Sequence, residues 1–116
     1  MICIRSCPDG DGLLLVAEGH AGYAPCGEDV VCAGVSALLY GFVAYLEGLS
    51  PIATAKRDSK GREIPHLAVE EKDGWLRVRT CGMGGLDRAG FAVIEAGLRL
   101  IAAAYPAHVT YCGGVG

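Results

Sequence analysis

Two residues in the first third of the chain have types and a separation suited to covalent chemistry: His20 and Cys32. Cys32 falls three residues after Asp29, in the opening turn of an expected helix. Unpaired amides and the helix dipole favour negative charge there. An unperturbed thiol titrates near ~8.5, and a helix N-terminus favours its thiolate, the nucleophilic form. The competing role is an ordinary buried helix residue beside Val31, and position alone leaves the two level. His20 tips the balance. An imidazole brought to the sulfur could take its proton and later return it to a leaving amine.

Asp29 has two roles in competition. As a helix cap its carboxylate accepts first-turn amides; as the third member of a triad it would orient the imidazole. The cap is the primary expectation, because a carboxylate close to the sulfur would oppose thiolate formation. Ser36, one turn beyond Cys32, either bonds the thiolate or substrate or bonds back to the Cys32 carbonyl. Cys3, Cys7, Cys81 and Cys112 read as small half-buried hydrophobes, and His66 and His108 receive no role.

The elements that must position these groups follow from periodicity. Ile2 and Ile4 alternate with Cys3 and Arg5 as in a half-buried strand. Pro8-Asp9-Gly10-Asp11-Gly12 is turn chemistry, and Leu13–Glu18 pairs back as a second strand. Gly19 to Glu28 is a glycine-rich loop. Val31, Val35, Leu38, Leu39, Phe42 and Leu46 then recur at helical spacing, with Gly48 and Pro51 as stop signals. Residues 54–63 are polar and read as a loop or an exposed hairpin tip. Strands near Ile64–Glu70 and Trp75–Thr80 join at Asp73-Gly74, with Leu76, Val78 and Thr80 facing one side. A second helix begins near Asp87, carries a stripe of Phe91, Ile94, Leu98 and Ile101, and ends at Tyr105-Pro106. The order β-β-α-β-β-α gives an α+β fold: two layers, a four-stranded mixed sheet and two helices on one face.

The chain has 116 residues, 52% hydrophobic and 20% charged, with net charge −3. This suits one domain over 1–116 and excludes disorder. The acidic balance argues against direct nucleic-acid binding. Glycine, at 18 residues, is more than double the usual ~7% but has no fixed period. Six cysteines fall below the ~8–10% of a short disulfide scaffold. Residues 1–12 lack the apolar stretch of a leader. Ala33–Leu46, broken by Ser36 and two glycines, falls short of the ~20 residues of a membrane span. The expectation is a cytoplasmic protein with reduced thiols and no membrane partner.

Gly19-His20-Ala21-Gly22-Tyr23-Ala24, followed by Asp29-Val30-Val31-Cys32-Ala33-Gly34-Val35-Ser36-Ala37-Leu38, resembles the signature of the ribosomal-processing cysteine proteases, a GHAGY-like stretch and then DIVCAAVSAL. Gly97-Leu98 and Tyr105-Pro106 resemble the end of that family's last helix. The resemblance spans most of the chain, and its first block is the specific part. It implies a small bacterial α+β protein, often a homodimer, that needs no cofactor and no metal. Its substrate would be the N-terminal extension of large-subunit ribosomal protein L-twenty-seven.

By the same resemblance Cys32 is the nucleophile and His20 the general base, while Gly19, Asp29 and Ser36 match other signature positions. Residues 21–28 would form a substrate lid, with Gly22 and Gly27 as hinges and Tyr23 on it. Tyr23, Tyr40 and Phe42 are candidates to line an apolar groove, with core packing the alternative for Phe42. The first-turn amides would stabilise an oxyanion, the Cys32 N–H being the one donor that can be named.

Two departures stand out: Gly34 replaces the more usual alanine, and Cys26 in the lid is either a neutral small residue or a resolving thiol for Cys32. The alternatives to a protease are a non-catalytic ribosome-assembly binding module of the same fold and a zinc site of His20, Cys26 and Cys32. The zinc reading lacks paired CxxC spacing.

Overall fold

The computed structural model describes residues 1–25, 27–49, 56–57, 60, 63–64, 67–81 and 85–113. In chain order the elements are β1 (Ile2–Asp9), β2 (Gly12–Glu18), α1 (Val30–Leu49), β3 (Lys56–Arg57), β4 (Glu63–Ile64), β5 (Leu67–Lys72), β6 (Trp75–Thr80), α2 (Gly85–Ala104) and β7 (Val109–Gly113). Five strands form one mixed sheet in the order β5-β6-β2-β1-β7, while β3 and β4 pair separately as a short hairpin.

The period-two reading of β1 and β6 holds, and the apolar run of β2 proves to alternate in the same way. Ile2 and Ile4 of β1, Leu13, Leu15 and Ala17 of β2, and Leu76 and Val78 of β6 all turn inward and are buried. Both helices cover that inner face. α1 contributes Val31, Val35, Leu39, Phe42 and Leu46, and α2 contributes Phe91 and Leu98. Ile94 and Ile101 pack against the same core from partly buried positions. The helices approach closely at two glycines, since a Cβ at Gly90 would stand 2.4 Å from Tyr45 and one at Gly97 would stand 2.9 Å from Leu38. At Gly34 a Cβ would meet Ile101 Cδ1 at 3.4 Å, an ordinary contact distance, so the helix packing leaves room for the more usual alanine.

Three expectations need correction. The sheet has five strands, because Val109–Gly113 runs parallel to β1 and takes its otherwise open edge. Its partner contacts are non-local: the Tyr111 hydroxyl donates to Glu95 of α2 and accepts from Ser6 of β1. Burial, reinforced by the Glu95 carboxylate, pushes Tyr111 up to about 12. The strand expected over residues 64–70 is split, with Glu63–Ile64 pairing to Lys56–Arg57 and Leu67–Lys72 pairing to β6.

The third correction concerns α1. It runs unbroken through Ser36, Gly34 and Gly41, and its residues Val30–Gly48 are long and apolar enough to cross a membrane by length and composition. Its inner face is committed to the sheet. Cys3 and Cys81 are partly buried as expected, whereas Cys7 and Cys112 are exposed. Pro51, His66 and Cys26 lie outside the described residues.

Candidate active site

His20 sits where β2 runs out, and the backbone there is built for one residue type. Gly19 has φ +97°, and a Cβ on it would stand 2.1 Å from the Met1 carbonyl oxygen. Its N–H donates to the Gly74 carbonyl at 2.8 Å, tying the end of β2 to the β5–β6 turn. The imidazole of His20 lies against that turn. A Cβ at Gly74, which has φ +68°, would come within 2.8 Å of Nε2. The same nitrogen faces Asp73 Oδ1 at 3.9 Å.

Cys32, partly buried, occupies the opening turn of α1. Asp29 caps that turn. Its Oδ1 accepts the Cys32 N–H at 2.9 Å, and its main-chain carbonyl accepts Ala33 N–H at 3.0 Å. Oδ2 reaches back into the preceding loop and accepts the Tyr23 and Ala24 amides at 3.0 and 3.3 Å. The Cys32 amide above all, helped by those of Ala24, Tyr23 and Val31 and opposed by desolvation, holds the Asp29 carboxyl below its ordinary 3.8.

The cap, the primary expectation for Asp29, is what the hydrogen bonds show, and the carboxylate beside His20 is Asp73. One expectation changes in consequence. The Cys32 N–H, the one oxyanion donor named from the sequence, is already committed to the cap.

Because the Asp29 carboxyl titrates lower in the folded state, its contribution is fully present above 3.8 and is lost as pH falls through its depressed folded value. Asp29→Ala is therefore expected to melt below the parent at neutral pH, with the gap closing as pH drops under about 4. Thermal melts of both proteins from pH 7 to pH 3 check this; a gap independent of pH would show that the charge is not what caps the helix.

Between the end of β2, the start of α1 and the β5–β6 hairpin lies a cleft of about 170 Å³. Gly19, His20, Cys32, Ser36 and Tyr40 line it, over an apolar floor of Ile2, Ala17, Val35, Leu39 and Leu76. Lys72, Gly74 and Trp75 close the far side. Those three were not foreseen as site residues. Asp73-Gly74 was legible as a turn, but nothing local says that this turn folds against a histidine more than fifty positions earlier. Of the groove candidates, Tyr40 lines the cleft and its hydroxyl donates to Glu71 at 2.7 Å, whereas Phe42 is fully buried in the core.

Tyr23 turns the other way. Its ring packs edge-on against Tyr105 and His108 at centroid distances of 5.5 and 5.4 Å. His108 Nδ1 donates to the Ala21 carbonyl at 2.8 Å. Ala21 and Tyr23, at the start of the segment expected to be a lid, are thus docked on the α2–β7 corner, and within that segment Gly22 and Gly27 have φ +67° and +89°.

His108→Ala is expected to cost about 1 kcal/mol of stability, the usual net worth of one hydrogen bond. Amide exchange at residues 21–24 should rise while that of the central strands holds. Unchanged exchange in the loop would show that the histidine does not anchor it.

Among the described residues, no group of three or more His, Cys, Asp or Glu side chains is placed to hold a metal ion.

The family model for cysteine protease Prp matches residues 1–110. A ribosomal processing cysteine protease Prp from Mycoplasma genitalium is 32% identical over 95 residues, covering 82% of each chain. The fold matches a Staphylococcus aureus ribosomal processing protease Prp, crystallised with a covalently linked product peptide, at TM-score 0.76. That pair shares 21% identity over 97% of this chain and 99% of the other. A Streptococcus mutans structure matches at TM-score 0.68 with 25% identity, over 98% and 94% of the two chains.

Proposed function

The chain belongs to the cysteine protease Prp family, and on that premise we propose that Cys32 and His20 are its nucleophile and general base. The observation that carries this reading is that a helix start and a strand end, twelve residues apart in sequence, deliver the two side chains to one cleft. His20 takes the thiol proton and the thiolate attacks the scissile carbonyl carbon. The C–N bond then breaks as His20 returns the proton to the departing amine. Water, activated by the same imidazole, hydrolyses the thioester and restores the thiol. The positive end of the α1 dipole lies beside the developing oxyanion. Ser36, one turn beyond the sulfur in the cleft, is placed to bond the thiolate or the peptide.

The substrate we propose is the N-terminal extension of the organism's own large-subunit ribosomal protein L-twenty-seven. The apolar floor of the cleft, with Tyr40 and Trp75 at its walls, supports apolar or aromatic residues ahead of the cut. The S. aureus relative was crystallised with a substrate peptide as well as a product peptide. Five free thiols among the described residues support a cytoplasmic setting. Exposed Val30, Tyr40 and Tyr45 on α1 and Val93 and Leu100 on α2 support a homodimer. The test is to incubate the protein with a peptide from that N-terminus and read the product masses, with Cys32→Ala alongside. One cut, made by the parent alone, is the expected result; an intact peptide in both would remove the proposed substrate.

A further inference from the structure

The β5–β6 turn does more than close the cleft. Its register fixes it to the histidine: Trp75 pairs with Glu18, immediately before Gly19-His20, and Lys72 pairs with Trp75 across the turn. Gly74 O then receives the Gly19 N–H. Of the imidazole atoms, Nε2 comes nearest to Gly74, at 2.8 Å from a Cβ built there, against 3.3 and 3.4 Å for Cδ2 and Cε1. The ring therefore presents its Nε2 edge to the turn and to Asp73 Oδ1.

We propose that Asp73 is a positioning residue for His20, holding the neutral imidazole as the Nε2–H tautomer so that Nδ1 is the atom that exchanges a proton with Cys32. This rests on the Cys32–His20 reading above. The other titratable groups lining the cleft around the imidazole are Cys32 and Tyr40 from α1 and Lys72 from the hairpin. Lys72 leans over the Trp75 ring at 5.5 Å.

At 3.9 Å, with side-chain exposures of 66% and 99%, the pair is screened by water in the free protein and worth little to stability. His20 lines the cleft and Asp73 stands outside it, so a peptide laid in the cleft shields the imidazole side of the pair from water, which strengthens the attraction as the imidazolium forms. The contribution therefore falls on the chemical step and leaves peptide binding alone.

Asp73 has a negative φ, so alanine fits the same backbone. Asp73→Ala is expected to lower kcat about fivefold with KM and the melting midpoint unchanged, and Asp73→Glu is expected to restore it. In peptide-free protein, the ¹⁵N spectrum of His20 should report Nε2–H in the parent and a larger Nδ1–H fraction in Asp73→Ala. A parental kcat and tautomer ratio in Asp73→Ala would overturn the proposal. So would a loss that moves KM and melting together and is not recovered by glutamate, since that marks a turn residue. The tautomer is read without substrate, so it stands apart from the dyad; undiminished cleavage by Cys32→Ala would instead sink the dyad itself.

Discussion

Cys32→Ala is expected to lose at least ~10³-fold in kcat/KM toward the ribosomal peptide, the scale seen when the nucleophile of a covalent protease is removed. Its fold should survive. The cap at the start of α1 is made to the Cys32 main-chain N–H, which alanine retains, and alanine has the best helix propensity of any residue. The side chain is partly buried against the core, so the change removes one sulfur and leaves a small space open to the cleft. Steady-state cleavage and a thermal melt on the same preparation measure both halves. His20→Ala should fall nearly as far, and the double variant no further than either, because the two act as one unit. A Cys32→Ala protein with a tenth or more of parental activity would exclude this sulfur as nucleophile.

The parts of this molecule that could be read from the chain are those whose signals are local. The stripe from Val31 to Leu46 specified α1 and its buried side, alternation specified β1 and β6, and the apolar run Leu13–Glu18 behind its turn specified β2. Asp29 three residues ahead of Cys32 specified the cap, and the hydrogen bonds place its Oδ1 on the Cys32 amide. What could not be read depends on distant partners. Val109–Gly113 is short and follows Tyr105-Pro106, and it becomes a strand because β1 leaves an edge free.

The same holds for His108, which looks idle in sequence and is tied to Ala21, 87 positions away. Tyr23 belongs with it: its place in the glycine-rich loop suggested a cleft-facing lid, whereas its ring rests on Tyr105 and His108. The carboxylate nearest His20 illustrates the point at the site itself. Asp29 was the visible candidate because it is close in sequence, and Asp73 holds the position because β6 pairs with β2.

The second large effect is expected at Gly19, where the chain turns from strand to site. Gly19→Ala combines two penalties. A residue with a Cβ at φ +97° is strained wherever it stands, at a cost of about 1–3 kcal/mol. Its methyl group would also overlap the Met1 carbonyl, which is main chain at the start of β1 and cannot rotate aside as a side-chain tip could. Relief requires the β1–β2 ladder to open at the end that carries His20, and the Gly19–Gly74 hydrogen bond opens with it.

The melting midpoint should therefore fall by about 10 °C, since each kcal/mol shifts a domain of this size by several degrees. At temperatures where the variant is still folded, kcat should drop about tenfold or more as the imidazole leaves its place. Gly10→Ala is the internal control. Gly10 also has positive φ, at +61°, but a Cβ there meets nothing within 4 Å. It should show the strain penalty alone, with a smaller fall in melting and parental kcat. Equal effects at the two glycines would mean that backbone strain accounts for Gly19 entirely, and that contact with β1 does not set the position of the histidine.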